Sequence, residues 1–294
     1  MPEGARMGLV GCGRWGKHIL RDLCALGCEV AVVARSAESR ARAEAGGAAS
    51  AVGSIGDLPE VEGIVVATPV STHAAVVEEA LGLDVPVFVE KPLTNDPVSA
   101  ERLAAAAEGR LFVMDKWRYH PGVELLGELA RSEELGQVVG LRTTRVGWER
   151  KRDVDQIWVL APHDVAIGLE ILGEIPPPRA AVASQDALLG LLGERPWQAL
   201  DVSGRGRARR REVVLVCEEG AAALDDSYDD HVTVVRSEEE PELRPLSGEL
   251  PLLRELQAFL RHLAGGPPPR SSAGEGVAVV RVISELRALA GLDS

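Results

Sequence analysis

A chain of 294 residues, 46% apolar and 26% charged, exceeds the usual size of one hydrophobic core and carries enough apolar material for two. Its formal charge of −13 works against nucleic acid and anionic membrane as partners, because both are bound through clustered Lys and Arg. No apolar run approaches the roughly 20 residues of a membrane helix. The four cysteines, Cys12, Cys24, Cys28 and Cys217, are too few for a disulfide framework, and no leader-like stretch opens the chain; a cytoplasmic protein with free thiols and no metal site is expected.

The first predicted strand, Met7 to Val10, runs into Gly11-Cys12-Gly13-Arg14-Trp15-Gly16, a G-x-G-x-x-G pattern that opens a helix reaching Leu26. Gly11 permits a tight turn, Gly13 leaves the backbone bare for a pyrophosphate, and Gly16 lets the helix lie close on the strand. The same pattern serves any tight strand-to-helix turn, so by itself it leaves both readings open. Gly27 stops the helix and Val30 to Ala34 forms the second strand. No acid stands at its end, where an NAD-preferring site offers Asp or Glu to the ribose 2′-hydroxyl. Arg35, with Ser36 and Arg40, suits the 2′-phosphate of NADP(H) instead; the alternative is a solvated arginine at a helix start.

An Ala-rich helix to Ala45 follows, then a strand from Ile64 to Ala67, a helix from Thr72 to Leu83, a strand from Val85 to Glu90, a helix from Val98 to Ala107 and a strand from Leu111 to Met114. Short Val-rich strands alternating with helices predict an α/β, Rossmann-type doubly wound parallel sheet over residues 1–115, with ligands beyond the carboxyl ends of its strands.

After Asp115 the rhythm changes. A helix from Gly122 to Arg131 leads to an alternating strand, Val138 to Trp148, with Leu141, Thr143 and Arg145 on one face and Arg142, Thr144 and Trp148 on the other. A helix from His163 to Leu172 follows, then strands near 180–183, 198–203, 212–217 and 232–235, and closing helices from Leu250 to Leu263 and Gly276 to Leu289. The basic cluster Arg205 to Arg211 reads as a solvated hairpin. Residues 116–294 are expected to form an α+β domain with an open, mainly antiparallel sheet for substrate binding and oligomerisation.

Six anchors in order now resemble one family across nearly the whole chain: Gly11 to Gly16; Ala67-Thr68-Pro69 with Thr72-His73; Glu90-Lys91-Pro92-Leu93; Arg118-Tyr119-His120-Pro121; Leu135-Gly136-Gln137-Val138; and Trp158 to Gly173 around His163-Asp164. The chain is similar to the glucose-fructose oxidoreductase/inositol dehydrogenase/rhizopine-catabolism family of NAD(P)-dependent oxidoreductases. Leu160-Ala161-Pro162-His163-Asp164 and Gly11 to Lys17 resemble its branch acting at the 3-position of nucleotide-linked sugars.

The resemblance implies a cofactor set of Gly11, Cys12, Gly13, Arg14, Trp15, Gly16, Thr68, Pro69, His73 and Glu90, joined by Arg35, Ser36 and Arg40, with NADP(H) favoured over NAD(H). It assigns catalysis to Lys91, at a strand's carboxyl end where an ammonium can meet a substrate oxygen, and to His163, whose near-neutral titration suits proton transfer. Substrate candidates are Lys91, His163, Arg118, Tyr119, Trp158 and Asp164. One departure stands out: many members carry an aspartate four residues before the histidine, and here Val159 occupies that place, so either Asp164 joins the relay or Lys91 and His163 act alone. The implied function is hydride transfer between nicotinamide and a secondary alcohol or ketone of a sugar, with carbon 3 of a nucleotide-linked sugar foremost and Arg118, Arg142 and Arg145 as possible diphosphate partners. The alternatives are a cyclitol or free aminosugar dehydrogenase, an imine or keto-acid reductase, and a non-catalytic cofactor-binding protein. A small-molecule sugar or cyclitol substrate and a homo-oligomer, dimer or tetramer, complete the expectation.

Overall fold

The computed structural model describes residues 4–148 and 153–292 and divides them into two compact units. In the first, β1 (Arg6–Val10), α1 (Gly16–Ala25), β2 (Glu29–Val33), α2 (Ala37–Ala45), β3 (Ser50–Val52), β4 (Gly63–Val66), α3 (His73–Leu81), β5 (Val87–Glu90), α4 (Pro97–Ala106) and β6 (Leu111–Met114) alternate along the chain. The six strands pair in parallel in the order β3-β2-β1-β4-β5-β6. Their cores are Val, Ile, Leu, Phe and Met without alternation, as strands buried on both faces require. Ser36 starts α2 by accepting from the Ser39 amide at 3.1 Å, and Asp96 starts α4 by accepting from that of Ser99 at 2.8 Å.

The second unit begins with α5 (Pro121–Ser132), β7 (Val138–Trp148) and α6 (Gln156–Leu172). Seven more strands follow: β8 (Pro178–Ser184), β9 (Ala187–Gly193), β10 (Trp197–Ser203), β11 (Arg205–Cys217), β12 (Gly220–Leu224), β13 (His231–Arg236) and β14 (Glu242–Pro245). The eight-stranded sheet runs β14-β13-β12-β11-β7-β10-β9-β8 and is antiparallel except where β10 lies parallel to β7. Val123, Leu126 and Leu129 of α5 and Ile167 and Ile171 of α6 bury one face against Leu141, Val213, Leu215 and Val234. The fold class is thus α/β, a parallel Rossmann sheet with a second, mainly antiparallel sheet unit. No helix among the described residues is long and apolar enough to cross a membrane.

Several expectations change. α7 (Pro251–Leu263) was read with the second domain, yet Leu252–Val277 group with the first unit, because Leu252, Leu256, Phe259 and Leu260 pack on Met7, Leu9 and Phe88. The last helix, α8 (Ala273–Leu289), crosses from the first unit into the second. His163 does not begin a helix: Asp155 caps α6 through the amides of Ile157 and Trp158, and Pro162 is accommodated inside it. Arg205 to Arg211, expected as a solvated hairpin, is mostly exposed but forms the first half of β11, with Arg205 over the Trp148 ring and Arg211 buried, donating to Val146 O at 2.7 Å.

Candidate functional site

In the first unit the carboxyl ends of β1, β2, β4 and β5 carry, in turn, the glycine turn, Arg35, Thr68-Pro69 and Glu90-Lys91. Gly11 has φ of +95°, and a side chain there would meet Ala67 O at 2.9 Å. At Gly16 a methyl would lie 2.1 Å from Gly11 O, so the helix start is pressed onto the turn. At Gly13 the same methyl would meet nothing within 4 Å. Two glycines therefore shape the turn, whereas the third borders open space. Arg14 and Trp15 are exposed, and Cys12 is fully buried. No acid occupies the first turn of α1, whose positive dipole end is left for an anion.

Arg42 was missed in the sequence. From α2 its Nε donates to Cys12 O at 2.8 Å, clasping the glycine turn from thirty residues away. Arg35 is exposed at the end of β2, 4.0 Å from Glu79. Ser36 Oγ is engaged as the α2 cap, and Arg40 donates to Ala51 O at 2.6 Å.

Beyond β4, the Thr72 hydroxyl lies 2.9 Å from Thr68 Oγ1 and 2.7 Å from Pro69 O, bracing the loop. His73 is buried, its ring nitrogens 2.8 Å from Pro92 O and 3.0 Å from Thr68 O. It lies between the Thr68-Pro69 loop and the segment that bears Lys91, with a backbone carbonyl oxygen beside each ring nitrogen. Lys91 follows β5 and is part-buried; its peptide bond to Pro92 is cis. The Trp15 indole N–H donates to Glu90 Oε1, and the Lys116 ammonium sits 4.9 Å from the centre of the Trp15 ring. Burial raises the proton affinity of Glu90, opposed by Lys91, the Trp15 hydrogen bond and Lys116.

The second unit holds the other candidates. His163 lies on α6 with the Trp117 ring edge-on at 6.5 Å; Trp117 stacks on His120 at 5.1 Å and carries the Arg145 guanidinium 4.4 Å from its centre. Arg145 Nε donates to Asp164 Oδ2 at 2.6 Å, both side chains buried. Burial raises Asp164, and Arg145 pulls it back down. Arg118 pairs with Glu170 at 3.0 Å. Tyr119 and Trp158 are buried, Trp158 beneath Arg287, which also pairs with Asp155. Arg142 points to the exposed face of β7, opposite Arg145. The three arginines expected to converge on a diphosphate therefore do not: two are paired with buried or half-buried acids, and the third faces away.

Residues 5–113 match the model of an oxidoreductase family with an NAD-binding Rossmann fold, Gfo/Idh/MocA. An inositol 2-dehydrogenase of Arthrobacter sp. (strain FB24) is 33% identical over 153 residues, 48% of this chain and 45% of the relative. A UDP-N-acetylglucosamine 3-dehydrogenase of Acidithiobacillus ferrooxidans is 31% identical over 177 residues, 58% of this chain and 55% of the relative. The chain thus spans about half the length of the curated relatives it matches. The solved structure of that UDP-N-acetylglucosamine 3-dehydrogenase superposes with a TM-score of 0.83 at 24% identity over 97% of each chain. A 3-ketoreductase from Actinomadura kijaniata in complex with NADP gives 0.85 at 19% identity over 97% of each chain. At these identities the superpositions speak to the fold.

Proposed function

We propose, on the match of residues 5–113 to the Gfo/Idh/MocA oxidoreductase family model, that the protein is a nicotinamide-dependent oxidoreductase moving a hydride between the cofactor and a secondary alcohol or ketone of a sugar or cyclitol ring. The observation that carries the reading is the row of neighbouring strand ends: an uncapped helix start behind Gly13, then Thr68, then Lys91, all at carboxyl ends of one parallel sheet. Such sheets bind their ligands there, at the point where strand order reverses between β1 and β4.

The glycine turn and the α1 amides would take the cofactor pyrophosphate, and Arg35, with Arg40 from the helix that follows it, the 2′-phosphate, giving NADP(H) over NAD(H). The cofactor supplies or accepts the hydride. Lys91 stabilises charge on the substrate oxygen and handles its proton, and His163 is the proton-transferring group of the second unit. Asp164 is held by Arg145, so the relay is read as Lys91 and His163 alone, with Asp164 supporting the helix position of His163.

For the substrate, a nucleotide-linked sugar attacked at carbon 3 is the first reading, supported by the likeness of Leu160 to Asp164 and by the name of the relative with the longer match. An uncharged cyclitol or free sugar is favoured by one specific observation, the neutralisation of Arg118 and Arg145 by Glu170 and Asp164. The deciding experiment follows cofactor oxidation on nucleotide-linked 3-ketosugars beside free inososes. Lys91→Ala and His163→Ala should keep cofactor binding while losing about 100-fold or more in turnover. A variant that turns over like the parent removes that residue from the mechanism, and inactivity on every ring ketone removes the reading itself.

A further inference from the structure

Gln198 stands on β10 opposite Leu141 of β7, on the sheet face that α6 covers, and it is fully buried. No motif singles it out. Its Nε2 donates at 2.7 Å to Asp164 O, the carbonyl of the residue that follows His163. Its Oε1 is buried with no hydrogen-bond partner among the described residues. The amide also packs against α6 one turn further on: a methyl at Gly168 would lie 2.6 Å from Nε2 and nearer still to Oε1, so the helix needs a glycine there to admit it. Both features work against stability, because a buried amide oxygen without a donor and a glycine inside a helix each cost free energy. A hydrocarbon side chain on β10 would avoid the first, and an alanine at 168 the second.

The arrangement fixes the position of α6. Most of this helix is buried and apolar, and apolar packing is non-directional, so by itself it lets a helix slide or turn about its axis. Pro162 loosens the ladder just before His163, since it has no N–H for the Trp158 carbonyl. Against this, Asp164 is held from two neighbouring strands: its main-chain oxygen by Gln198 of β10, and its carboxylate by Arg145 of β7 at 2.6 Å. Arg145 also lies 4.4 Å from the centre of the Trp117 ring, which meets the His163 ring in a T-shaped contact at 6.5 Å. His163 projects about 100° around the helix from Asp164, so a small rotation of α6 carries the imidazole sideways. We propose that Gln198 is a positioning residue for His163: together with Arg145 it locks the rotation and axial register of α6 at Asp164, although it lowers stability. Setting register is the best-attested use of a buried polar group. The inference rests on the reading of His163 as the proton-transferring group.

The test uses the full chain and Gln198→Met, which keeps the length of the side chain but has no donor. Three quantities are read: the melting temperature, kcat and KM on a ring ketone that the parent reduces, and the His163 Cε1–H resonance in NMR, identified among the six histidines by its absence in His163→Ala. Gln198→Met should melt at or above the parent, move the His163 resonance, and lose about 10-fold in kcat at unchanged KM for the cofactor. Gly168→Ala, whose methyl displaces the amide, should move the same resonance and lower kcat, and the two losses should not add in the double variant. The proposal is overturned by a His163 resonance that stays in place in Gln198→Met. It is equally overturned if Gln198→Met fails to fold or melts several degrees below the parent, which is the result of a role in stability alone. If His163→Ala keeps the parent's turnover while Gln198→Met moves the resonance and leaves kcat alone, the clamp on α6 stands and the reading of His163 is what fails. With His163→Ala inactive, an unchanged kcat in Gln198→Met overturns the proposal.

Discussion

Arg145 and Asp164 form a buried ion pair, Nε to Oδ2 at 2.6 Å, on the face of the second sheet that packs against α6. Breaking one side leaves an uncompensated buried charge, so Arg145→Met should cost about 3 to 5 kcal/mol, while Arg145→Met with Asp164→Leu should recover most of it. The pH dependence has a definite sign. Burial raises Asp164 above its ordinary value of 3.8, and Arg145 is the main force holding it down. Removing Arg145 raises it further. A carboxyl that holds its proton more tightly when folded contributes stability fully below the unfolded value and loses that contribution as pH rises. The Arg145→Met deficit should therefore be small near pH 4 and largest at neutral pH, as read from urea midpoints. A deficit independent of pH would show that the charge is not what the pair protects.

The cofactor preference turns on Arg35. A charge-assisted contact to a 2′-phosphate is worth about 1.5 to 3 kcal/mol. Arg35 is exposed and lies 4.0 Å from Glu79, so the low end applies, roughly 10-fold in affinity. Arg35→Ala should lose that factor for NADPH and leave NADH unchanged, and Glu79→Gln should strengthen NADPH alone. Equal affinities for the two cofactors in the parent would end the argument.

Oligomerisation can be tested at the outer face of β8 and β9. There Val182 stands opposite Leu189, and Leu191 lies two residues on; all three are exposed, an apolar patch of the kind that marks a contact surface. The protein should run as a dimer or tetramer in light scattering, and Leu189→Asp with Leu191→Asp should shift it to the monomer without loss of helix or strand content. A parent that is monomeric at all concentrations refutes the assignment of this face.

Much of the first unit was legible because its strands are continuous apolar runs and its turns are punctuated by glycine. β9 and β12 were not: Ala187 to Gly193 is interrupted by Gly190, and Gly220 to Leu224 is mostly alanine, which has low strand preference, so both depend on their neighbours for pairing. The helix containing His163 was started too late because Pro162 is a stronger local signal than the Asp155 cap seven residues earlier. Arg42 and Glu255 were invisible for another reason. Arg42 clasps a turn far off in sequence, Glu255 is buried where α7 packs on the first unit's core, and neither periodicity nor spacing encodes a contact that only the tertiary fold creates.

The glycine turn allows binding to be separated from folding. A methyl at Gly16 would sit 2.1 Å from the backbone oxygen of Gly11, which has no freedom to move, so Gly16→Ala should displace α1 from β1 and lower the melting temperature by several degrees. A methyl at Gly13 meets no protein atom within 4 Å, and the backbone there is not left-handed, so Gly13→Ala should melt with the parent. If the open space at Gly13 is where a pyrophosphate approaches the backbone, the same methyl must push it away, and Gly13→Ala should weaken cofactor binding by about 10-fold or more while leaving the fold intact. Calorimetry of the free protein and titration with NADPH read the two effects apart. Undiminished binding in Gly13→Ala would mean that the turn serves helix packing alone, and the cofactor would have to be sought elsewhere along the strand ends.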